Sequence, residues 1–156
     1  VRFALLLALA LGSAWAADLK PVDELSYPKL VASAKGKVLL VNFWATYCAP
    51  CRKEMPQLVA LGERLKARGL VFVTVSADEP EQAAEASAFL DRSHVPAPAY
   101  LRKPRNEERF PLAIDPAWKN GALPASFLYD RQGRKVRAFF GELKLAELEA
   151  EIKKLL

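Results

Sequence analysis

The chain has 156 residues, 52% of them hydrophobic and 26% charged, a composition that folds as one domain of ordinary size and leaves no room for a second large core. Its formal charge of +5, from 23 Lys and Arg against 18 Asp and Glu, is modest and interspersed with acids, so it supports solubility and not nucleic-acid binding. Two Cys and one His exclude a Cys/His structural zinc site and a scaffold stapled by several disulfides, and they weigh against a Ser-His-Asp hydrolase.

The chain opens with Arg2, an unbroken apolar run over residues 3–11, then Gly12 and Ser13, and the small-residue signature Ala14-Trp15-Ala16. This pattern predicts a signal peptide over residues 1–16. The run is shorter than the roughly 20 residues that a membrane-spanning helix needs; an uncleaved N-terminal anchor is the alternative. The expected product is exported and soluble, in a bacterial periplasm or an equivalent compartment where a disulfide persists. Residues 17–29 read as a leader, and residues 30–156 as the folded domain.

Within residues 18–37, Pro21 and Pro28 allow a short edge strand or a helical turn. Residues 38–43 (VLLVNF) are nearly all apolar and too few for a core helix, so they read as a strand buried on both faces. Residues 49–66 carry Met55, Leu58, Leu61 and Leu65 at helical spacing, with charge between them, and Gly69 marks the helix exit. Residues 70–75 (LVFVTV) form a second buried strand, which completes a βαβ unit with parallel pairing. Asp78-Glu79-Pro80 starts a helix that runs to about Arg92, its acids suiting the dipole. Residues 99–101 suggest a short strand, 102–108 a solvated loop or helix start, and 110–118 only short turns because of Pro111 and Pro116. Residues 125–130 and 135–140 read as a hairpin around Gly133, and residues 142–156 as a closing helix with Leu145, Leu148, Ile152 and Leu155 on one stripe. The fold class is therefore α/β, a central mixed sheet with helices on both faces.

Cys48-Ala49-Pro50-Cys51 stands between a buried strand and the start of a helix. Two cysteines three apart meet across one helical turn, and the free N–H groups and positive end of the helix stabilise a thiolate there. Cys48, nearer the entrance, is expected to be the exposed nucleophile. Cys51, one turn in, is expected to be covered and to act as the resolving thiol. Attack by Cys48 on a partner disulfide gives a mixed disulfide, which Cys51 then resolves. An inert crosslink is the other reading of the pair, but a loop this short gains little from cross-linking.

The run from Val41 to Pro56, VNFWATYCAPCRKEMP, resembles the signature of the exported TlpA-like reductases of thioredoxin fold, a group that includes the ResA- and CcmG-type proteins of cytochrome c maturation. Gly121-Ala122-Leu123-Pro124-Ala125-Ser126-Phe127-Leu128 resembles the same family's second landmark, a loop with a cis-proline. The resemblance implies a thioredoxin-like fold, a cis Leu123-Pro124 bond facing the cysteine pair, and a Leu123 backbone that pairs with an extended client segment. It also implies that Trp44, Tyr47 and Pro50 flank the pair on the client-binding side. Asn42 departs from general thioredoxins, which have a buried Asp at this point of the strand to assist proton transfer. Asn42 agrees with the TlpA-like group, so proton handling must fall elsewhere. The resemblance associates the Glu at the position of Glu54, three residues beyond Cys51 on the same helix face, with the active site, and a partly buried carboxylate there would have a raised pKa and could relay a proton from Cys51. A solvated helix residue is the plainer reading of Glu54.

His94 stands alone and reads as a surface or packing residue, and the basic residues Arg102, Lys103, Arg105 and Arg109 read as a solvated face or a docking rim for an acidic client. No cofactor and no metal are implied. The expected partners are a client protein disulfide and a membrane thiol-electron transporter as reductant, with no nucleic acid; a monomer is expected. Ala49-Pro50 differs from the Pro-His of strong oxidants, which favours a reductase over an oxidase or isomerase. A non-catalytic Cu(I)-binding module on the same fold is the remaining alternative.

Overall fold

The computed structural model describes residues 18–156, so the expected signal peptide over residues 1–16 lies outside the described residues. In chain order the elements are β1 (Leu19–Val22), α1 (Tyr27–Ser33), β2 (Val38–Trp44), α2 (Ala49–Lys66), β3 (Leu70–Ser76), α3 (Ala83–Arg92), β4 (Ala99–Arg102), α4 (Arg109–Ile114), β5 (Ala125–Tyr129), β6 (Lys135–Phe140) and α5 (Leu145–Leu155). They build one six-stranded mixed sheet in the order β1-β4-β3-β2-β5-β6. β2 pairs parallel with β3 and antiparallel with β5, and β4 pairs parallel with both β1 and β3. This is the thioredoxin-like α/β arrangement that the resemblance implies.

Every residue of β2 is buried, because the strand is central and covered on both faces. Alternation divides its side chains between two cores. Val38, Leu40 and Trp44 meet Met55, Leu58 and Leu61 of α2, Leu90 of α3 and Leu148 of α5. Leu39, Val41 and Phe43 meet Tyr27 of α1, Phe110 of α4 and Trp118. Phe43 is the hub of this second core, with ring centroids 4.7 Å from Trp118, 5.7 Å from Phe127 and 5.9 Å from Tyr27. At Gly62 a Cβ would lie 3.0 Å from the Cβ of Phe72, so the absence of a side chain lets α2 lie directly on β3. α2 continues through Pro56, whose ring lacks the N–H that would otherwise bond to the Arg52 carbonyl.

The leader forms the edge strand that the sequence allowed, and two later elements, α4 and α5, differ from the sequence reading. The leader is part of the sheet: β1 pairs with β4, and Asp23 holds Arg105 at 2.8 Å while Glu24 accepts the N–H groups of Arg105 and Asn106. The basic segment is accordingly tied down, since Arg102 also bonds the Ala77 carbonyl and pairs with Glu107 at 2.6 Å. Residues 109–114 form a true helix, α4, whose Phe110, Pro111 and Ile114 are buried; Pro111 falls in the first turn, where its missing N–H is not needed. α5 begins at Leu145 and not at residue 142, because Gly141 at φ 83° and the following bend carry the chain off the sheet edge first.

Phe43→Ala is expected to lower stability by about 3–5 kcal/mol, the range for emptying a large buried aromatic site. Urea unfolding of the pair of proteins checks this; an unchanged midpoint would show that the second core does not depend on this ring.

Candidate active site

The end of β2 delivers the chain to the entrance of α2, and a buried carboxylate fixes the join. Asp78 accepts the Thr46 N–H at 3.0 and 3.1 Å, the Thr46 hydroxyl at 2.6 Å and the Ser76 hydroxyl at 2.6 Å. The Ala77 N–H also bonds the Trp44 carbonyl at 2.7 Å. Asp78 therefore does not serve the dipole of the following helix, as its place before Pro80 suggested; it turns inward and anchors the loop that leads to Cys48. No motif in the sequence marks this role, because it arises from the side-by-side pairing of Trp44 with Ser76 across two strands.

Cys48 is the N-cap of α2, in extended conformation, and its Sγ accepts the Cys51 N–H at 3.3 Å. The pair is joined as a disulfide, with Cα atoms 5.3 Å apart. Cys51 is fully buried, whereas Cys48 keeps 8% of its surface. Cys48 is thus far less exposed than the sequence reading expected, and it belongs to the buried core that packs between the sheet and α2. What remains opens onto a shallow depression lined by Tyr47, Cys48, Ala49, Pro50, Ala122 and Leu123, with Gly121 at its edge. The depression places the Leu123-Pro124 loop opposite the cysteine pair, and the Leu123-Pro124 bond is cis. A second cis bond, Ala97-Pro98, was not expected from the sequence. The Trp118 indole N–H donates to the Ala122 carbonyl at 2.8 Å and holds this loop to the second core. Leu123 lies outside the β5 ladder, which begins at Ala125.

The two aromatic residues separate. Tyr47 is 67% exposed and forms a wall of the depression. Trp44 is 0% exposed and lies against Phe89 of α3, ring centroids 4.9 Å apart. The expectation that Trp44 binds a client is therefore corrected: it is the last residue of a doubly covered strand and faces the core. His94 is exposed at the exit of α3, with φ 55°.

Beneath α2 a polar row crosses three strands. Asn42 is fully buried and paired in register with Thr74 on β3 and Ser126 on β5. Its Nδ2 donates to Ser126 Oγ at 3.0 Å and to Glu54 Oε1 at 3.4 Å. Glu54 Oε2 accepts the Leu143 N–H at 3.2 Å. Burial pushes the Glu54 carboxyl above its ordinary 4.5; the bonds from Leu143 and Asn42 oppose the shift and the nearby Glu142 charge adds to it. Glu54 is thus no solvated helix residue but a half-buried acid one turn beyond Cys51.

Fold and site together define a thioredoxin-fold protein with a cysteine pair at a helix entrance. Residues 16–138 match the AhpC/TSA family, and the chain belongs to that family. It is closely related to thiol-disulfide oxidoreductases of the ResA and DsbE type. It is 34% identical over 127 residues to the thiol-disulfide oxidoreductase ResA of Bacillus thuringiensis (strain Al Hakam), covering 78% of this chain and 65% of that protein. It is 39% identical over 106 residues to a thiol:disulfide interchange protein DsbE homolog of Paracoccus denitrificans (strain Pd 1222), covering 68% of this chain and 52% of the relative. The chain thus spans just under two thirds of the length of the Bacillus ResA relatives. Among solved structures, a thioredoxin family thiol:disulfide interchange protein from Chlorobium tepidum TLS superposes with a TM-score of 0.65 at 27% identity, covering 80% of this chain and 83% of that one.

Two outcomes are expected from the site's electrostatics. Asp78→Ala strands three buried donors and should cost about 3 kcal/mol or more, at 1–3 kcal/mol for each unsatisfied group; a loss under 1 kcal/mol by chemical denaturation would deny the anchor. For Glu54 the folded-state pKa is raised, so its contribution to stability is full below the unfolded value of 4.5 and is lost as pH rises through the folded value. Glu54→Gln should therefore gain stability relative to the parent as pH is raised from about 4 to 7. Parallel pH-dependent curves for the two proteins would contradict this.

Proposed function

We propose that the protein is an exported thiol-disulfide oxidoreductase that reduces disulfides of client proteins. The observation that carries this reading is the Cys48–Cys51 disulfide at the first turn of α2, opening beside the Leu123-Pro124 loop. In the reduced protein the Cys48 sulfur sits where the helix offers its unpaired amides, so its thiolate is the favoured form. That thiolate attacks one sulfur of the client disulfide; a Cys48–client bond forms, the client S–S bond breaks, and the departing sulfur takes a proton from water. Cys51 then passes its proton to Glu54 and attacks Cys48 Sγ. The Cys48–client bond breaks, its electron pair leaves with the client sulfur, and the Cys48–Cys51 disulfide remains. Two electrons have moved to the client, and a membrane thiol-electron transporter, acting as reductant, restores the dithiol.

Tyr47 and Pro50 flank the attacking sulfur, and the backbone of Leu123 pairs with the extended client segment. Pro124 keeps an N–H donor away from the sulfurs. The likeness to ResA and DsbE proteins supports a client of the cytochrome c maturation or copper-site assembly kind. The Ala49-Pro50 dipeptide supports the reducing direction.

With Cys51→Ala, the protein should accumulate a mixed disulfide through Cys48 when expressed with its clients, and mass spectrometry of the adduct would name the client. No adduct, or one formed through other residues, would overturn the mechanism. The couple should lie nearer the roughly −270 mV of thioredoxin than the roughly −120 mV of the strong oxidant DsbA. A value at the oxidising end would reverse the direction of transfer.

A further inference from the structure

Asn42 is buried at the centre of the polar row, and its side chain is used on one side only. Nδ2 donates to both Glu54 and Ser126, while Oδ1 has no hydrogen-bond partner among the described residues. A buried amide oxygen without a donor is costly, and it calls for an explanation. The neighbours supply one. Each residue paired with Asn42 in the ladder is a hydroxyl residue, Ser126 on β5 and Thr74 on β3, and Thr74 Oγ1 is likewise buried without a partner. A hydroxyl donates or accepts by rotating its proton. An amide presents a donor at one end and an acceptor at the other, and turning over by half a rotation exchanges them.

The partner that changes is Glu54. Ionised, its carboxylate only accepts; protonated, it also donates. A fixed donor would serve the first form and oppose the second. Among the described residues the groups that bond or act on Glu54 are Asn42 from β2 and the Leu143 N–H and Glu142 from the segment before α5, while Cys51 precedes it by three residues on its own helix. Of these only the Asn42 side chain can reverse.

Resting on the reading of Glu54 as the proton acceptor for Cys51, we propose that Asn42 is a positioning residue that turns over with each proton transfer. It donates from Nδ2 to the ionised Glu54 and accepts at Oδ1 from the protonated Glu54, with Ser126 and Thr74 rotating their hydroxyls to suit. The transfer is balanced within the site: the proton leaves Cys51 Sγ and arrives on Glu54, and Asn42 gains and loses none. The arrangement holds both forms of the acid in the same place without a second charge, which a buried Asp at this position would introduce.

The test uses the reduced, isotope-labelled full chain. Nuclear magnetic resonance follows the Glu54 carboxyl carbon and the Asn42 side-chain amide signals against pH. The two are expected to change together, with one midpoint, and the amide signals should keep their position across the same range in Glu54→Gln. Rapid-mixing kinetics then follow the second thiolate released when the protein reduces a chromogenic aromatic disulfide, the step in which Cys51 resolves the adduct. Asn42→Leu should slow this release about tenfold at pH 7 and shift its pH midpoint, a fraction of the roughly 10²–10⁴ that acid–base assistance supplies. Ser126→Ala should give a smaller change of the same sign. A Glu54 that titrates while the Asn42 amide stays unmoved, or an Asn42→Leu profile that matches the parent, would overturn the proposal and leave the Glu54 reading standing. A Glu54→Gln release profile identical to the parent would remove the Glu54 reading and this proposal with it.

Discussion

The Cys51 N–H that points at Cys48 Sγ, 3.3 Å away, is one of the amides that a helix leaves unsatisfied at its start. That contact sets the chemistry available to the site. It makes a sulfur the natural partner of a partial positive charge, and it does so at the head of an 18-residue helix whose far end is complemented by Arg64 and Lys66. For the sulfur to sit there, β2 has to end where it does and the loop after it has to hold still. The first condition is met by a strand buried on both faces, and the second by Asp78, which collects three donors from Thr46 and Ser76.

The two sulfurs then differ by environment, although they are three residues apart. Cys51 is fully buried in the first turn of α2, one turn before Glu54. Cys48 keeps a small accessible surface between Tyr47 and the Leu123-Pro124 loop. A protein with a largely buried nucleophile selects against partners that cannot reach into the depression.

Much of this was legible in the sequence because it depends on local pattern. The strand VLLVNF, the helical stripe of Met55, Leu58 and Leu61, and the position of CAPC between them follow from periodicity and from the chemistry of a helix entrance. Asn42 stood out against general thioredoxins and Glu54 by its spacing from Cys51, and the structure brings the two side chains together. Contacts between distant segments were not legible. Asp78 looked like a helix-start acid, because its real partner is 32 residues away, across a strand pairing. The resemblance put Trp44 beside the pair on the client side, yet as the last residue of a strand covered on both faces it lies in the core. The basic stretch around Arg105 is solvated as read, but its bonds to Asp23 and Glu24 of the leader were not legible.

The central claim is that helix α2 makes Cys48, and not Cys51, the reactive thiolate. Competitive alkylation of the reduced protein at neutral pH, with each site read by mass spectrometry, tests it most directly. The account predicts that Cys48 is modified first and at least about tenfold faster than Cys51, as expected for a thiol at a helix N-terminus against a buried one. Equal rates, or modification of Cys51 first, would contradict it.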